Sequence, residues 1–356
     1  MGLPTIDIVF RQAAKRTIAQ GQKGTVAVIV KDGTEKVGGY VIRSKEDIPS
    51  KLNQGNQGYV SRTLLGYVNA PSKVLLYVLP SAAENFTDAL AWLATQSYDY
   101  LVAPPDITEE QCASVVTWIR AQRALTGRCD KAVLPHTAAD YEGIINFTTD
   151  GIVSGGTTYD AGGYCSRIAG LIAGTPMTIS CTYAPLSEVS DIERLTPTEA
   201  NTAIDGGEFI LIHDGEKVKV GRGVTSLTTA SETTGETLKK IKALETCDRI
   251  NVDLVRAIQD SYIGRCANSY DDKCLLMTYI KSYLKTLEDE KLLRTGSSTV
   301  EIDMAAQKKY LREQGMDVDG MSDQEIKEAN TGSHVFLVIS ISILDAMEDV
   351  AIIINL

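Results

Sequence analysis

The chain is poor in histidine and tryptophan, with three and two copies among 356 residues, and only 6% of its residues are aromatic. It has no Cys-x-x-Cys pair and no His-x-x-x-His spacing, the arrangements that commonly hold zinc. It also lacks the Gly-x-Ser-x-Gly turn of serine hydrolases and the Gly-x-x-x-x-Gly-Lys-Ser/Thr loop of nucleotide hydrolases. We therefore expect no metal, no cofactor and no catalytic site of these kinds.

The chain has seven cysteines, an odd number, and their spacing matches no metal-binding motif. This favours free thiols in a reducing compartment over a disulfide framework. The first ten residues, MGLPTIDIVF, contain no basic region followed by a long apolar run, so they do not resemble a signal peptide. Both observations predict synthesis in the cytosol.

Positive charge is scarce relative to negative charge. The chain has 46 acidic and 35 basic residues, which gives a net charge of −11. Because phosphate binding requires a basic surface, this balance argues against a nucleic-acid-binding protein. Two small basic clusters are exceptions, and each is either a solvated helix face or a contact for an acidic partner. They consist of Lys239, Lys240 and Lys242, and of Lys308, Lys309 and Arg312.

The length allows two domains, and the pattern of the first half predicts an α/β (α+β) fold. A buried strand over 24–31 precedes an Asp32-Gly33 turn, with 37–43 as the return strand. Strands and helices then alternate as β-α-β-α-β, which predicts a small parallel or mixed sheet covered by helices. The alternating segments are 73–79, 85–96, 98–103, 108–125 and 131–134.

The second half is predicted to be richer in helices. A helix over 159–173 carries so many small residues that close packing against another element is expected, and a hairpin follows at 207–221. Long helices are predicted over 237–265 and 273–293. The first of these carries Val252, Val255, Ile258 and Ile263 on one side.

The last 24 residues are the most informative stretch. The segment 335–344 is apolar and β-branched, and it predicts a strand. The acidic segment 345–349 interrupts it, and 350–356 forms a second apolar run, predicted to be a second strand. A membrane helix is the alternative, but it needs about 20 unbroken apolar residues.

The opposite end has a similar character, because Ile6, Ile8 and Phe10 alternate along a short strand-like segment. Two apolar, strand-prone ends suggest strand addition. The ends pair either with each other, completing one sheet within the chain, or with neighbouring copies.

Two patterns resemble functional sites but have simpler explanations. His136 directly follows a predicted strand, where α/β enzymes place catalytic groups, so a cytosolic α/β enzyme with a cleft near His136 is the alternative function. The acidic run from Asp317 resembles a calcium loop, but Ser322 occupies the position that requires glycine. A helix capped by Ser322 or Asp323 explains this run better.

Several segments of the last 200 residues resemble contractile tail sheath proteins, in particular the small sheaths of defective prophages and R-type (diffocin-like) bacteriocins of Gram-positive bacteria. The resemblance covers 150–356 well, whereas 25–150 fits only as a plausible α/β domain. The motifs that carry it are EIKEANTGS, VFL and ILDAMED near the end, the hairpin FILIHDGEKVKVGRGVTSLTT, the helices VDLVRAIQDSYIGR and CLLMTYIKSYLKTLEDEKLL, and the small-residue helix over 159–173.

The resemblance implies a structural subunit, not an enzyme, that forms hexameric rings, which stack as a helical assembly around a rigid inner tube. Its domains would be a linking arm (1–23), an outer α/β domain (24–195) and an inner domain (196–356) with linking strands in 333–356. Baseplate and tail terminator proteins would be further partners, with neither nucleic-acid binding nor direct membrane insertion. The protein would be made in the bacterial cytoplasm and released by lysis as part of a phage tail or a phage-tail-like particle.

The resemblance also implies roles for individual residues. Strands from the chain ends would be woven between subunits, and the two basic clusters named above are the candidates for contact with the tube. The intersubunit strands would use Ile6, Ile8 and Phe10, the face formed by Val335, Leu337, Ile339, Ile341 and Ile343, and a partner strand containing Val350, Ile352 and Ile354.

Overall fold

The computed structural model describes residues 24–229 and 235–355, which divide into two compact units. The sheet unit comprises 24–252 and 344–355, and the helical unit comprises 253–343. This division differs from the expected domain boundary at 195/196, because residues 196–252 pack with the sheet unit. Ile6, Ile8 and Phe10 lie outside the described residues.

The helices follow the predicted order, with ends set by local capping. Thr108 and Gln111 form a reciprocal capping box at the start of the third helix, and Gly127, at φ 68°, ends it in the left-handed conformation. The helices are α1 (Gln54–Thr63), α2 (Thr87–Leu93), α3 (Glu109–Thr126), α4 (Ala161–Ala173), α5 (Pro197–Asp205), α6 (Ile241–Ser261), α7 (Tyr270–Asp289), α8 (Met304–Glu313) and α9 (Asp323–Glu328).

The strands form one large sheet and three small ones. They are β1 (Thr25–Asp32), β2 (Gly38–Ile42), β3 (Lys73–Pro80), β4 (Tyr100–Val102), β5 (Lys131–Pro135), β6 (Ile144–Phe147), β7 (Ile152–Ser154), β8 (Thr157–Tyr159), β9 (Val189–Asp191), β10 (Glu208–Phe209), β11 (Leu211–His213), β12 (Val218–Val220), β13 (Thr299–Ile302) and β14 (Leu337–Ser340).

The large sheet has the order β10-β6-β5-β4-β1-β3-β2 and is parallel except for β2. The expected hairpin of β1 with β2 is wrong, because β2 instead pairs antiparallel with β3 at the sheet edge. The physical reason is that β3 and β4 occupy both sides of β1, so β1 has no free edge. The small sheets have the orders β8-β7-β9, β11-β12 and β13-β14.

The large sheet is covered on both faces, as its nearly continuous apolar strands require. Val26, Val28 and Val30 of β1 pack in the core with α1 and α4. Ala27 and Ile29, which alternate with them, pack on the other side with α2 and α3.

The expected close packing of the small-residue helix is confirmed. The whole of α4 is buried, and a Cβ on Gly170 would lie 2.0 Å from the carbonyl oxygen of Thr63 in α1. Only glycine allows the two backbones to approach this closely.

Helix caps and hydrogen bonds between polar groups stabilise the helical unit. The Tyr283 hydroxyl donates to the Asp253 carboxylate over 2.8 Å, and Glu288 accepts the backbone N–H groups of Gly296 and Ser298. Ser322 caps α9 with Glu325 in a capping box, which confirms the cap as the explanation of the calcium-like run.

α6 does not bury the side that carries Val252 and Val255. These two residues are exposed and Ile258 is half-buried, whereas Leu254 and Ala257 are buried, and Ile263 lies beyond the end of α6 and is exposed. The first half of the helix is buried on several sides, and there Asp248 accepts bonds from the buried Lys131 and from Arg123.

The C-terminal prediction is partly corrected. Only Leu337–Ser340 forms a strand, its partner is β13, and Ile343 adds a single bridge to Leu293. Of the predicted strand over 350–356, the described residues 350–355 have no regular structure. A strand needs a partner for its backbone groups, and no strand among residues 24–229 and 235–355 pairs with this segment.

Candidate assembly surface

A two-stranded ribbon in the helical unit carries the residues expected to receive neighbouring strands. β13 and β14 run antiparallel, with Thr299 opposite Ser340 and Ile302 opposite Leu337. Along β14, Leu337 and Ile339 are half-buried and alternate with exposed positions. Leu337 and Ile339 therefore share one face of β14. Val335 precedes the strand and is exposed, while Ile341 and Ile343 follow it and are half-buried.

The ribbon has two free edges. β13 and β14 pair only with each other among the strands of residues 24–229 and 235–355. A two-stranded ribbon is marginally stable by itself, and its unpaired N–H and C=O groups are a template for further strands. The ribbon therefore has the geometry of an incomplete sheet.

The chain end is apolar and open to solvent. Val350, Ile352 and Ile354 are 73%, 78% and 78% exposed, and Ile353 is exposed as well. A contiguous exposed apolar segment of this kind marks an interaction surface. It lacks the regular structure that pairing would give it.

All three lysines of the first basic cluster have partners within the chain. Lys240 forms an ion pair with Asp345, and the Lys242 ammonium donates to the Leu344 carbonyl. Lys242 is buried, so its charge is unavailable to a separate protein in this conformation. Lys239 pairs with Glu236 over 2.8 Å, at the rim of the cluster.

The second basic cluster lies on α8 and is more accessible. Lys308 lies 3.6 Å from Asp323, Arg312 lies 2.6 Å from Asp319, and Lys309 is exposed. Exposed pairs of this type contribute little and are easily exchanged. These three residues remain candidates for a reversible contact.

His136 occupies the predicted position at the end of β5, with φ 43°. Its Nε2 lies 3.0 Å from the Asp150 carboxylate, and its side chain is 54% exposed. The nearby Thr137 hydroxyl is engaged, since it donates to the Pro135 carbonyl over 2.7 Å. The pair is an exposed histidine–carboxylate contact.

The other place where an α/β sheet binds ligands is the carboxyl end of its strands at the point where strand order reverses, here around β1. Asp32 ends β1 there, and its carboxylate accepts bonds from Thr34, Asn53 and Asn56. The buried Tyr59 hydroxyl donates to the Ala103 carbonyl over 2.9 Å. The polar groups of Asp32 and Tyr59 at this end of the sheet are therefore engaged in hydrogen bonds within the chain.

Three further observations concern the described residues. All seven cysteines are free thiols. No group of three or more His, Cys, Asp or Glu side chains is placed to hold a metal ion within 24–229 and 235–355. No helix in the same ranges is long and apolar enough to cross a membrane.

Sequence reasoning missed one feature, the polar residues that hold the acidic segment near the end of the chain. Glu348 and Asp349 of that segment contact Arg222, and Glu348 also contacts Ser180 and Thr182. Arg222 appears in the sequence only as the middle of Gly221-Arg222-Gly223. The sequence did contain one signal for this contact, which is charge complementarity. Arg222 and the neighbouring lysines are basic, whereas the segment 345–349 is acidic.

The described residues thus present a two-stranded ribbon with no further strand and an exposed apolar chain end, features of a protein with interaction surfaces. Comparison with known proteins identifies its class. The family described as phage tail sheath protein central domain matches residues 80–226. A tail sheath protein of Clostridium phage phiCD119 is 38% identical over 356 residues, which cover 99% of this chain and 98% of that protein. The chain belongs to the phage tail sheath family.

Solved structures share the fold. A sheath tail protein from Desulfitobacterium hafniense superposes with a TM-score of 0.71 at 18% identity, covering 83% of this chain and 94% of that one. A chain of the anti-feeding prophage baseplate superposes with a TM-score of 0.68 at 14% identity, covering 100% and 99%. These findings confirm the resemblance, the α/β fold and the function as a structural sheath subunit. They do not support the enzyme alternative near His136.

Proposed function

We propose that this sheath subunit polymerises helically around a rigid inner tube and that the assembled sheath contracts to drive the tube through a target cell envelope. The observation that carries the proposal is the β13–β14 ribbon, whose two edges are unpaired in the described chain. Copies joined head to tail through such edges build an open stack, because the interface does not close on itself.

The exposed chain end supplies a segment that fits such an edge. Residues 350–355 are apolar and lack regular structure. Pairing with a ribbon edge would satisfy the backbone groups of both, and each fully buried Val or Ile side chain would add about 1.5–3 kcal/mol. The apolar residues Ile6, Ile8 and Phe10 make the N-terminal arm the second linking strand in this proposal.

The proposal assigns 24–195 to an outer domain, and 196–356 with the arm 1–23 to an inner domain that faces the tube. Lys239, Lys308, Lys309 and Arg312 are its candidate tube contacts. A surface ion pair contributes roughly 0–1 kcal/mol, which is weak enough to release when the sheath moves. Lys240 and Lys242 instead contact residues 344 and 345 of the same chain.

The mechanism is a transition between two packings of the same subunits. The extended sheath is a metastable state held by its assembly, and contraction releases interface free energy. The linking strands keep neighbours connected while the domains pack anew. The six-fold symmetry of the anti-feeding prophage baseplate supports rings of six, with baseplate and tail terminator proteins as further partners. The subunit would be made in the bacterial cytoplasm and released by lysis in a phage tail or related particle.

Electron microscopy of the chain co-expressed with its tube protein tests this function. We expect regular cylinders around a thin core, some of them shortened and widened. Deleting residues 1–12 is expected to leave a folded subunit that makes no sheath. Normal contractile particles from that deletion would refute the linking role of the arm.

Substitution of the chain end gives a sharper test. Ile352→Ser with Ile354→Ser removes exposed apolar groups from the linking segment, and we expect loss of cylinders with unchanged thermal unfolding of the subunit. Leu125→Ser is the matched control, because Leu125 is exposed at the end of α3. Loss of assembly in the control as well would show a general effect of surface polarity and count against the proposal.

A further inference from the structure

The acidic segment 345–349 lies against a basic site within the sheet unit. Lys240 pairs with Asp345 and lies 3.5 Å from the Glu348 carboxylate. The Arg222 guanidinium lies 2.6 Å from Asp349 and 3.6 Å from Glu348. Two cations thus contact three carboxylates.

Hydroxyl groups complete the site around Glu348. One oxygen of its carboxylate accepts bonds from the hydroxyls of Thr182 and Ser180, over 2.6 and 3.0 Å. Its side chain is only 6% exposed, although the segment lies at the chain surface. A carboxylate enclosed by cations and hydroxyl donors is bound more strongly than one in an exposed ion pair.

The backbone beside Arg222 packs closely against the loop that carries Ser180 and Thr182. The Gly223 N–H donates to the Thr182 hydroxyl oxygen over 3.0 Å. A Cβ on Gly223 would lie 2.8 Å from the Cys181 sulfur. A larger residue would push the strand end that carries Arg222 away from the loop that carries the hydroxyls.

The third cation acts on the backbone instead of a carboxylate. The Lys242 ammonium donates to the Leu344 carbonyl, directly before the acidic segment. Burial lowers the pKa of Lys242. In the neighbouring pair of Lys240 and Asp345, burial disfavours both charged forms. The hydrogen bond between the two side chains nevertheless raises the pKa of Lys240 and lowers the pKa of Asp345.

Contact ends abruptly after Asp349, because residues 350–355 are exposed. We propose that Ser180, Thr182, Arg222, Lys240 and Lys242 form a clasp that binds the acidic segment of the same chain and sets the point from which the apolar end leaves the subunit. The clasp itself does not depend on the sheath function, but its consequence for assembly rests on the proposed function.

The consequence for assembly is a lower entropic cost of pairing. A free tail loses the conformational freedom of all its residues when it joins a neighbouring sheet. In a clasped tail, the segment 345–349 is already ordered, so only the residues after it lose conformational freedom. The clasp also restricts where the apolar end can reach, which raises its effective concentration at one neighbouring site. Arg222, Lys240 and Glu348 are thereby positioning residues for the linking segment.

Proteolysis of the isolated chain tests the clasp directly. Glu348 is the only glutamate after Glu328, so a glutamyl-specific protease that cuts there releases the octapeptide DVAIIINL, which mass spectrometry can quantify. Cleavage reports the open population of the segment. All variants below keep this segment unchanged, so the cleaved sequence is identical.

The test variant is Arg222→Gln with Lys240→Gln, and the matched control is Lys217→Gln, which removes an exposed charge from the hairpin. We expect the octapeptide to be released at least about tenfold faster from the test variant than from wild type. The control should cleave at the wild-type rate. Equal rates for wild type and the test variant would overturn the proposal.

A second variant tests the clasp independently, in case the first variant misfolds. Ser180→Ala with Thr182→Val removes both hydroxyl donors to Glu348 and leaves every charge in place. We expect release several-fold faster than wild type, with unchanged thermal unfolding. If wild type itself is cut as fast as a synthetic peptide of residues 341–352, no clasp exists in solution and the proposal fails.

Co-expression with the tube protein tests the consequence separately. We expect fewer or shorter cylinders from Arg222→Gln/Lys240→Gln than from Lys217→Gln. Equal cylinders from a variant whose tail is open would overturn the positioning role. A wild-type chain that forms no sheath with its tube would refute the proposed function, while the protease result on the isolated chain would still decide the clasp.

Discussion

Replacing Gly170 by alanine tests how closely α4 and α1 must approach. A Cβ at this position would lie 2.0 Å from the Thr63 carbonyl oxygen and 3.0 Å from its Cα. Cβ atoms in folded proteins do not come within 3.0 Å of such atoms, so one helix must move by about 1 Å. The obstacle is backbone, which cannot rotate aside as a flexible side chain can.

The expected magnitude follows from two opposing terms. Overpacking a well-filled core costs about 1–3 kcal/mol, and a contact between two backbones belongs at or above the upper end of that range. Alanine regains up to about 1 kcal/mol through its higher helix propensity. The net loss is about 2 kcal/mol, which corresponds to a melting temperature lower by roughly 4–8 °C for a unit of this size.

Gly58→Ala in α1 is the matched control, because it is the same substitution in the partner helix. The nearest atom to its Cβ would be the Arg62 guanidinium nitrogen at 3.3 Å, the movable end of a flexible side chain. Here only the propensity term remains, so stability should rise by about 0.5–1 kcal/mol. Thermal and urea unfolding of the isolated chain measure both variants. A Gly170→Ala protein as stable as wild type, or two variants that change in the same direction, would refute the packing argument.

Two further predictions concern charges inside the sheet unit. Asp248→Asn leaves the buried Lys131 ammonium without the carboxylate that lies 2.8 Å away, and it should cost roughly 3–5 kcal/mol in urea unfolding. The double variant Lys131→Met/Asp248→Leu should cost clearly less; an equal cost would refute an unpaired charge as the cause. Burial acts to raise the pKa of Asp32, but bonds from Thr34, Asn53 and Asn56 lower it well below its usual value. Its folded pKa is depressed, so its stabilisation is present above the unfolded pKa of about 3.9 and is lost as pH falls toward the folded pKa. Asp32→Asn should therefore melt below wild type at about pH 6, with a smaller difference at about pH 3; a difference independent of pH would contradict this linkage.

Features that depend on neighbouring residues along the chain were predictable. The strands and helices of the β-α-β-α-β half follow from apolar runs and capping residues, as Thr108 shows, and Ser322 caps α9 of the helical unit in the same way. The small residues of α4 correctly indicated close packing, although they did not identify Thr63 as the partner. The apolar run after the last acidic residues was visible, but it was predicted to be a strand, whereas residues 350–355 are exposed without regular structure.

Features that depend on distant residues were not predictable in the same way. The sequence alone determined that β2 is a strand, that α6 is a helix and that 345–349 is acidic. Only the tertiary structure decided that β2 pairs with β3, that Asp248 of α6 bonds to Lys131, and that the acidic segment lies on Arg222 and Lys240. Gly38 and Val78, which pair between β2 and β3, are about 40 positions apart, and the ion pairs join residues more than 100 positions apart. The physical reason is that propensity and periodicity act over a few residues, whereas strand edges, buried charges and ion pairs are settled by groups that are distant in the chain.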